Sequence, residues 1–394
     1  MFADSPESLQ TSLNILEEYS NKWKLTVNTE KTKVMIFGNG GRIPNNINFK
    51  YANKNLEIVK HFKYLGCVFT SGGAFNVMEK TLSDQALKAI FKLNNYLTKF
   101  TTLMPKHSME LFDKLISPIM NYAAEVWGFN KGLNIERIHL RFIKRLLGVK
   151  LSTQNNFVYG ETGRMNFQNH RYIIIIKYWL KLCHANENKY IKSVYNILKT
   201  DIENHPNRNN WVSHVKRLLS TLGFYDVWLA QSVGNIKQFI SLFKQRVKDV
   251  FIQNWESELS ASTRATFYNT FLSFELQPYL SQITIPKFRI ALSKLRMSSH
   301  RLEIECGRWK KPNSIPLNER ICRFCGILED EYHFVIECKL FLNLRKQYIK
   351  EYFWKRPSVQ KFIQLIANGN QLDMKNLSIY VYKAFKLRQN SNYQ

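Results

Sequence analysis

Three of the chain's six cysteines and one of its nine histidines fall within the stretch Cys322-Arg323-Phe324-Cys325-Gly326-Ile327-Leu328-Glu329-Asp330-Glu331-Tyr332-His333-Phe334-Val335-Ile336-Glu337-Cys338. The pattern is Cys-x2-Cys, seven residues, then His-x4-Cys. Three thiolates and one imidazole form the soft donor set that suits tetrahedral Zn2+. The Cys-x2-Cys step lets one tight turn aim two sulfurs at a point, and Gly326 suits that turn. His333 and Cys338 can project from a single turn of a short helix. A structural zinc ion held by Cys322, Cys325, His333 and Cys338 is the expectation; the alternative is a group of buried free thiols around a core histidine. A disulfide framework does not fit a chain whose first residues, Met1-Phe2-Ala3-Asp4, lack the basic and apolar regions of a signal peptide.

Holding four ligands in place takes a folded frame, and the composition supplies material for one. Of 394 residues, 45% are hydrophobic and 14% aromatic, enough for cores in two or more domains. Lys and Arg number 57 against 30 Asp and Glu, a net charge of +27. An excess of this size, spread along the chain, favours a polyanionic partner, because each phosphate neutralised releases condensed counterions. RNA or DNA is the first candidate and an anionic membrane surface the second. The longest apolar runs, such as Tyr172-Ile173-Ile174-Ile175-Ile176, fall far short of the roughly twenty residues a membrane span needs. The chain reads as soluble and intracellular, in the nucleus, the cytoplasm or both.

Along the chain, an α+β pattern gives way to a mainly α one. Ser5 as cap, Pro6 at the first helical position, and Leu9, Leu13, Leu16 and Trp23 on one face predict a helix over 5–23. Its abrupt start gives the N-terminus the look of a cut edge. Lys24–Val27 and Lys33–Phe37 read as strands; residues 48–51 and 56–59 read as a hairpin around Ala52-Asn53-Lys54-Asn55, and His61–Thr70 as a further strand. From about Asn76 onward the period is helical, with Pro118 a kink and a helix over 134–147 closed by Gly148. That helix carries Arg137, His139, Arg141, Lys144 and Arg145 against Glu136 alone. It is either a solvated face or one that tracks phosphates. The polar stretch 200–210 is the best boundary candidate. A second basic run, Lys287, Arg289, Lys294, Arg296, Arg301, Arg308, Lys310 and Lys311, leads into the Cys/His stretch, where flanking residues rather than the acidic Glu329-Asp330-Glu331 should meet nucleic acid. A last helix is expected over 377–388.

Residues 22–37, Lys-Trp-Lys-Leu-Thr-Val-Asn-Thr-Glu-Lys-Thr-Lys-Val-Met-Ile-Phe, followed by Tyr64-Leu65-Gly66, strongly resemble the end of the palm in non-LTR retrotransposon reverse transcriptases of the jockey and LINE-like kind. Leu111–Pro118 and Tyr122–Gly128 resemble their thumb and post-thumb, and the Cys/His stretch resembles their C-terminal knuckle. The resemblance implies a palm edge over 1–73, a helical thumb region over 74–199, a helical connector over 200–300 and a zinc-knuckle region over 301–394. It makes Lys31, beside Asn28, the lysine thought to assist pyrophosphate departure. It also makes Tyr64, Leu65 and Gly66 a primer-grip-like hairpin, and sets Arg137, Arg141, Lys144 and Arg145 where template or duplex is met. The intact enzymes hold Mg2+ with aspartates of an early palm strand and a Tyr-Ala-Asp-Asp turn. Phe2-Ala3-Asp4-Ser5 aligns after that turn, so the expectation is a chain that binds nucleic acid, carries no catalytic residues and needs no Mg2+ itself. Cys306 is a weaker ligand candidate, and Cys67 and Cys183 are expected in cores. A zinc module for nucleic-acid or protein binding, unconnected with catalysis, is the alternative.

Overall fold

Residues 1–44, 46–99, 103–271 and 273–391 are described by a computed structural model of the chain. It is mainly helical, with small sheets near the N-terminus and the Cys/His group near the C-terminus. Contacts divide it into Met1–Gln85 and Ala86–Gln394, the division falling inside the helix Asn76–Leu97.

In the first unit, helix α1 (Pro6–Lys22) starts where its cap residues require. Ser5 Oγ accepts from Ser8 N–H at 3.1 Å, and Pro6 occupies the first turn, where its missing N–H costs nothing. Leu13 is buried against Val34, Phe49, Tyr51 and Leu56, with Leu9 and Leu16 at the edge of this cluster. Trp23, expected on the same face, is 62% exposed because α1 ends before it. Strand β1 (Lys33–Val34) runs parallel to β3 (Lys54–Ile58), which pairs antiparallel with β2 (Phe49–Tyr51). Ala52 and Asn53 both have positive φ, the signature of a two-residue hairpin turn, so the loop is shorter than the four residues expected. The stretch 61–70 is likewise a hairpin rather than one strand. It comprises β4 (His61–Tyr64) and β5 (Cys67–Thr70), joined by Leu65 and Gly66 at φ 47° and 82°. Lys24–Val27 forms no strand, since Leu25 N–H returns to Ser20 O at 2.8 Å and closes the helix instead.

The second unit is built of helices and short turns. The helix Pro105–Leu115 stops one residue before Ser117–Met120, so the chain breaks at the expected Pro118 step. Side chains from Ile175 to Val247 share one buried cluster, which includes Tyr195 and Ile202 on one side of residues 205–210 and Val212 and Val215 on the other. Those residues are therefore a loop over a continuous core. The helix Pro286–Arg296 packs along Gln371–Ser391, whose Leu377, Tyr380, Val381 and Ala384 are buried.

The helix Leu133–Leu147 ends at Gly148, as its sequence predicts. Its Glu136 does not balance the basic face. The carboxylate accepts from His139 Nδ1 at 2.9 Å, Tyr159 OH at 2.8 Å and Phe167 N–H at 2.7 Å. Burial opposes its charge, but these donors hold the carboxyl below its usual range. His139 is fully buried, and burial pushes its imidazole below the ordinary value despite Glu136. The unfolded chain therefore binds a proton near pH 6.5 that the folded chain takes up only at lower pH. Stability from this residue is complete above about pH 6.5 and is lost as pH falls through the folded pKa. Replacement His139→Gln is expected to flatten the fall of the urea midpoint between about pH 6.5 and 5; an unchanged pH slope would assign the loss to another group.

Candidate metal centre and basic face

Cys322 follows Ile321, whose backbone bridges Leu328, and Cys322 N–H donates to Ile327 O at 2.7 Å. The chain between turns back tightly: Gly326 N–H donates to Cys322 O at 2.8 Å, and Gly326 itself sits at φ 68°, a conformation a side chain would strain. This turn brings Cys322 and Cys325 together. His333–Glu337 forms a single π-helical turn, and Cys338 N–H closes it on His333 O at 2.8 Å. A turn closed by an i→i+5 hydrogen bond brings residues five apart in sequence close together. Asp330 starts the turn by accepting from His333 N–H at 2.7 Å.

The result is one cluster: a ligand atom from each of Cys322, Cys325, His333 and Cys338 lies within 4.8 Å of every other. Sγ of Cys338 is 3.9 Å from Sγ of both Cys322 and Cys325. A tetrahedral site with metal–sulfur arms of about 2.3 Å has edges of about 3.8 Å, whereas a disulfide needs sulfurs about 2.05 Å apart. The cysteines are free thiols. Burial pushes the Cys322 and Cys338 thiols up, so neither ionises readily without a cation. His333 is buried with neither ring nitrogen hydrogen-bonded, and Glu337 Oε2 lies 3.6 Å from its Nδ1. An orphaned imidazole facing three thiols fits a metal ion and fits a closed apolar core poorly. The group can therefore hold a metal ion. Among the described residues no other set of three or more His, Cys, Asp or Glu side chains converges in this way. Cys306 lies outside the set, Cys67 is buried, and Cys183 is half-buried.

The acidic triplet within the metal loop faces inward. Glu329 pairs with Arg388 and accepts from Glu303 N–H, Glu331 accepts from His300 and Ser298, and Asp330 caps the π turn. Phe334, Val335 and Ile336 are buried, and Phe334 stacks on Phe385 at 4.8 Å. The loop is thus tied to the Gln371–Ser391 helix as well as to the Cys3His group.

The expected nucleic-acid contacts divide by exposure. Arg137, Arg141 and Arg145 are exposed at four-residue spacing, so they share one face of the Leu133–Leu147 helix, and none has an ion pair among the described residues. Lys144 departs from the expectation. It is buried, and its ammonium donates to Leu151 O at 2.9 Å, Thr153 O at 2.6 Å and Asn155 Oδ1 at 2.8 Å. With its three protons taken, it fastens the following loop. In the run after Pro286, Arg289 and Arg296 are buried in protein contacts, while Lys287, Arg301, Lys310 and Lys311 stay exposed. Lys31 is exposed in a turn that Asn28 holds by accepting Lys31 N–H at 3.0 Å. Tyr64 and Leu65 project from the β4–β5 turn, exposed, beside the half-buried Gly66.

No protein-family profile and no solved structure matches the chain. It is 29% identical over 160 residues to an uncharacterised transposon-derived protein of Caenorhabditis elegans, a match covering 39% of this chain and 55% of the other. The chain thus spans about half the length of the curated relative it matches, and the likeness points to a transposon-related origin.

Proposed function

We propose that the chain is the C-terminal part of a non-LTR retroelement reverse transcriptase, that it binds RNA or DNA through exposed basic residues, and that it catalyses no nucleotidyl transfer by itself. Its one metal is a structural zinc ion on Cys322, Cys325, His333 and Cys338; Mg2+ belongs to the intact enzyme. The observation that carries the reading is the Cys3His cluster in a chain of net charge +27 with a transposon-derived relative. Further support comes from α1, where Ile15 and Tyr19 are exposed one turn apart and Trp23, just past the end of the helix, extends the apolar row. Such a row suits a helix that a larger palm sheet covers in a longer protein. The sequence has no Asp-Asp pair with which to hold two metal ions.

Binding to phosphates makes a quantitative expectation. Changing Arg137, Arg141 and Arg145 to Gln should reduce the slope of log affinity against log salt by about 0.9 for each duplex-DNA phosphate that is no longer neutralised. Lys144→Met should lower the thermal midpoint and leave that slope alone. An unchanged slope in the triple variant would remove this helix from the interface. Primer extension with Mg2+ or Mn2+ tests the catalytic half of the reading: template-directed synthesis by the purified chain would overturn it.

A second reading, a protein-binding zinc module, is favoured by the exposed Ile321, Phe324 and Ile327 around the Cys-x2-Cys turn. Replacing Phe324 and Ile327 by Ser separates the two, since nucleic-acid binding should survive the change.

A further inference from the structure

A cavity of about 340 Å3 lies where residues 263–271, the segment 304–308 and the helix Val359–Ile366 come together, and Leu328, Asp330 and Glu331 of the metal loop form part of its wall. The lining is of two kinds. Phe267, Phe271 and Phe362 supply rings, and Phe267 and Phe271 are only half-buried. Arg264, Arg308 and Arg320 supply guanidinium groups, and the Arg296 guanidinium, already paired with Glu161, lies over one face of Phe271. Two of these share one acid: Arg264 Nη2 donates to Glu305 at 2.9 Å, and Arg308 lies 3.0 Å from the same carboxylate. Arg320 finds no carboxylate and donates to the carbonyls of Ile315 and Ile304 at 2.9 and 3.2 Å. The remaining acids of the wall are engaged elsewhere, Asp330 with His333 N–H and Glu331 with His300 and Ser298. Arg264 Nε is buried without a hydrogen-bond partner. Outside, Trp309 is exposed with the Arg264 guanidinium over its ring at 5.6 Å.

Lining a cavity with Arg264 and Arg308 on one shared carboxylate and Arg320 on carbonyls alone leaves an excess of positive charge that an anion would complete. The rings beside them make an apolar slot that a phosphate alone would not fill. We propose that this cavity receives one unpaired nucleotide of a nucleic-acid strand, its base against Phe267 and Phe271 and its phosphate against Arg264, Arg308 and Arg320. Guanidinium forks match phosphate oxygens in geometry as well as charge. Aromatic rings stack on any base, so the site reads the unpaired state and not the sequence. The volume is at the lower end of the roughly 300–1,000 Å3 typical of small-molecule pockets, which admits a nucleotide and excludes a duplex. The proposal rests on the nucleic-acid-binding reading above and adds a preference for frayed or unpaired ends.

The test compares binding of the full chain to three labelled duplexes that differ only at one end: blunt, carrying one unpaired nucleotide, or carrying one abasic residue with its phosphate. The unpaired nucleotide is expected to tighten binding about tenfold over the blunt end, the change one base–aromatic stack produces. The abasic end should recover only part of the gain, and adenosine monophosphate should compete it away. Arg264→Gln and Phe267→Leu should each abolish the gain while leaving blunt-end affinity and its salt slope unchanged. Equal affinity for all three ends overturns the cavity proposal and leaves the broader reading standing. Absence of binding to every duplex and to adenosine monophosphate alone overturns both. The wild-type series decides the matter even where a variant fails to fold.

Discussion

The full chain purified without chelator is expected to carry one zinc ion per molecule, and the pair Cys322→Ser, Cys325→Ser to carry none. The four candidate ligands come from two short structures, the Cys-x2-Cys turn and the π turn from His333 to Glu337 that Cys338 closes. Without a cation, two buried thiols and a buried imidazole lose the partner that justifies their burial. The packing of Phe334 on Phe385, and the bond from Tyr380 OH to Phe334 O at 2.8 Å, remain. Local loosening rather than complete unfolding is therefore the expected consequence. Loss of a structural metal belongs with the few changes that cost about 4 kcal/mol or more, and a unit of this size shifts by about 2–4 °C per kcal/mol. Chelation should accordingly lower the melting temperature by about 10 °C and speed amide exchange in residues 321–338. Wild-type protein that carries no zinc as purified, or whose melting temperature is unchanged once its metal is removed by chelator, would exclude a structural zinc.

The convergence of Cys322, Cys325, His333 and Cys338 was legible from sequence because their chemistry is local. Residue type and spacing over Cys322–Cys338 specify a tetrahedral donor set, and the five-residue step from His333 to Cys338 matches the turn that joins them. The start of α1 at Ser5-Pro6 and the close of the 133–147 helix at Gly148 were legible for the same reason, since a cap is read within four residues. What depends on distant partners was not. Lys24–Val27 has strand-like residues, yet it lies where α1 is capped, and among the described residues no strand pairs with it. Lys144 stands among exposed arginines in sequence, but its position on the helix turns it inward toward the 151–155 loop. The cavity draws Phe267, Arg308 and Phe362 from separate segments, and none of them carries a local signal. Counting charges along the run after Pro286 likewise cannot tell a solvated guanidinium from one matched inside the core.

Arg296 is the clearest case of the latter, and its replacement is expected to be among the most damaging changes in the second unit. Its guanidinium is 2% exposed and the Glu161 carboxylate 0%. Arg296 Nε lies 3.1 and 3.0 Å from the two Glu161 oxygens, and Nη2 donates to Glu161 Oε1 and Gln277 Oε1, each at 2.9 Å. Nη1 donates to Ile366 O at 2.8 Å, at the end of the helix Val359–Ile366. One side chain thus fastens three segments, with the rings of Phe271 and Tyr279 at 4.6 and 5.3 Å. Burial opposes its charge, but Glu161 more than compensates and holds the guanidinium pKa above its usual value. Removing either partner leaves an unmatched charge in the core, a loss of about 3–5 kcal/mol. Arg296→Met and Glu161→Leu should each lower the unfolding free energy measured by urea titration by that much, and the double variant by clearly less than the sum, because neither charge is then stranded. Additive losses in this cycle would mean that the two groups are not coupled, and that the segments are held by packing alone.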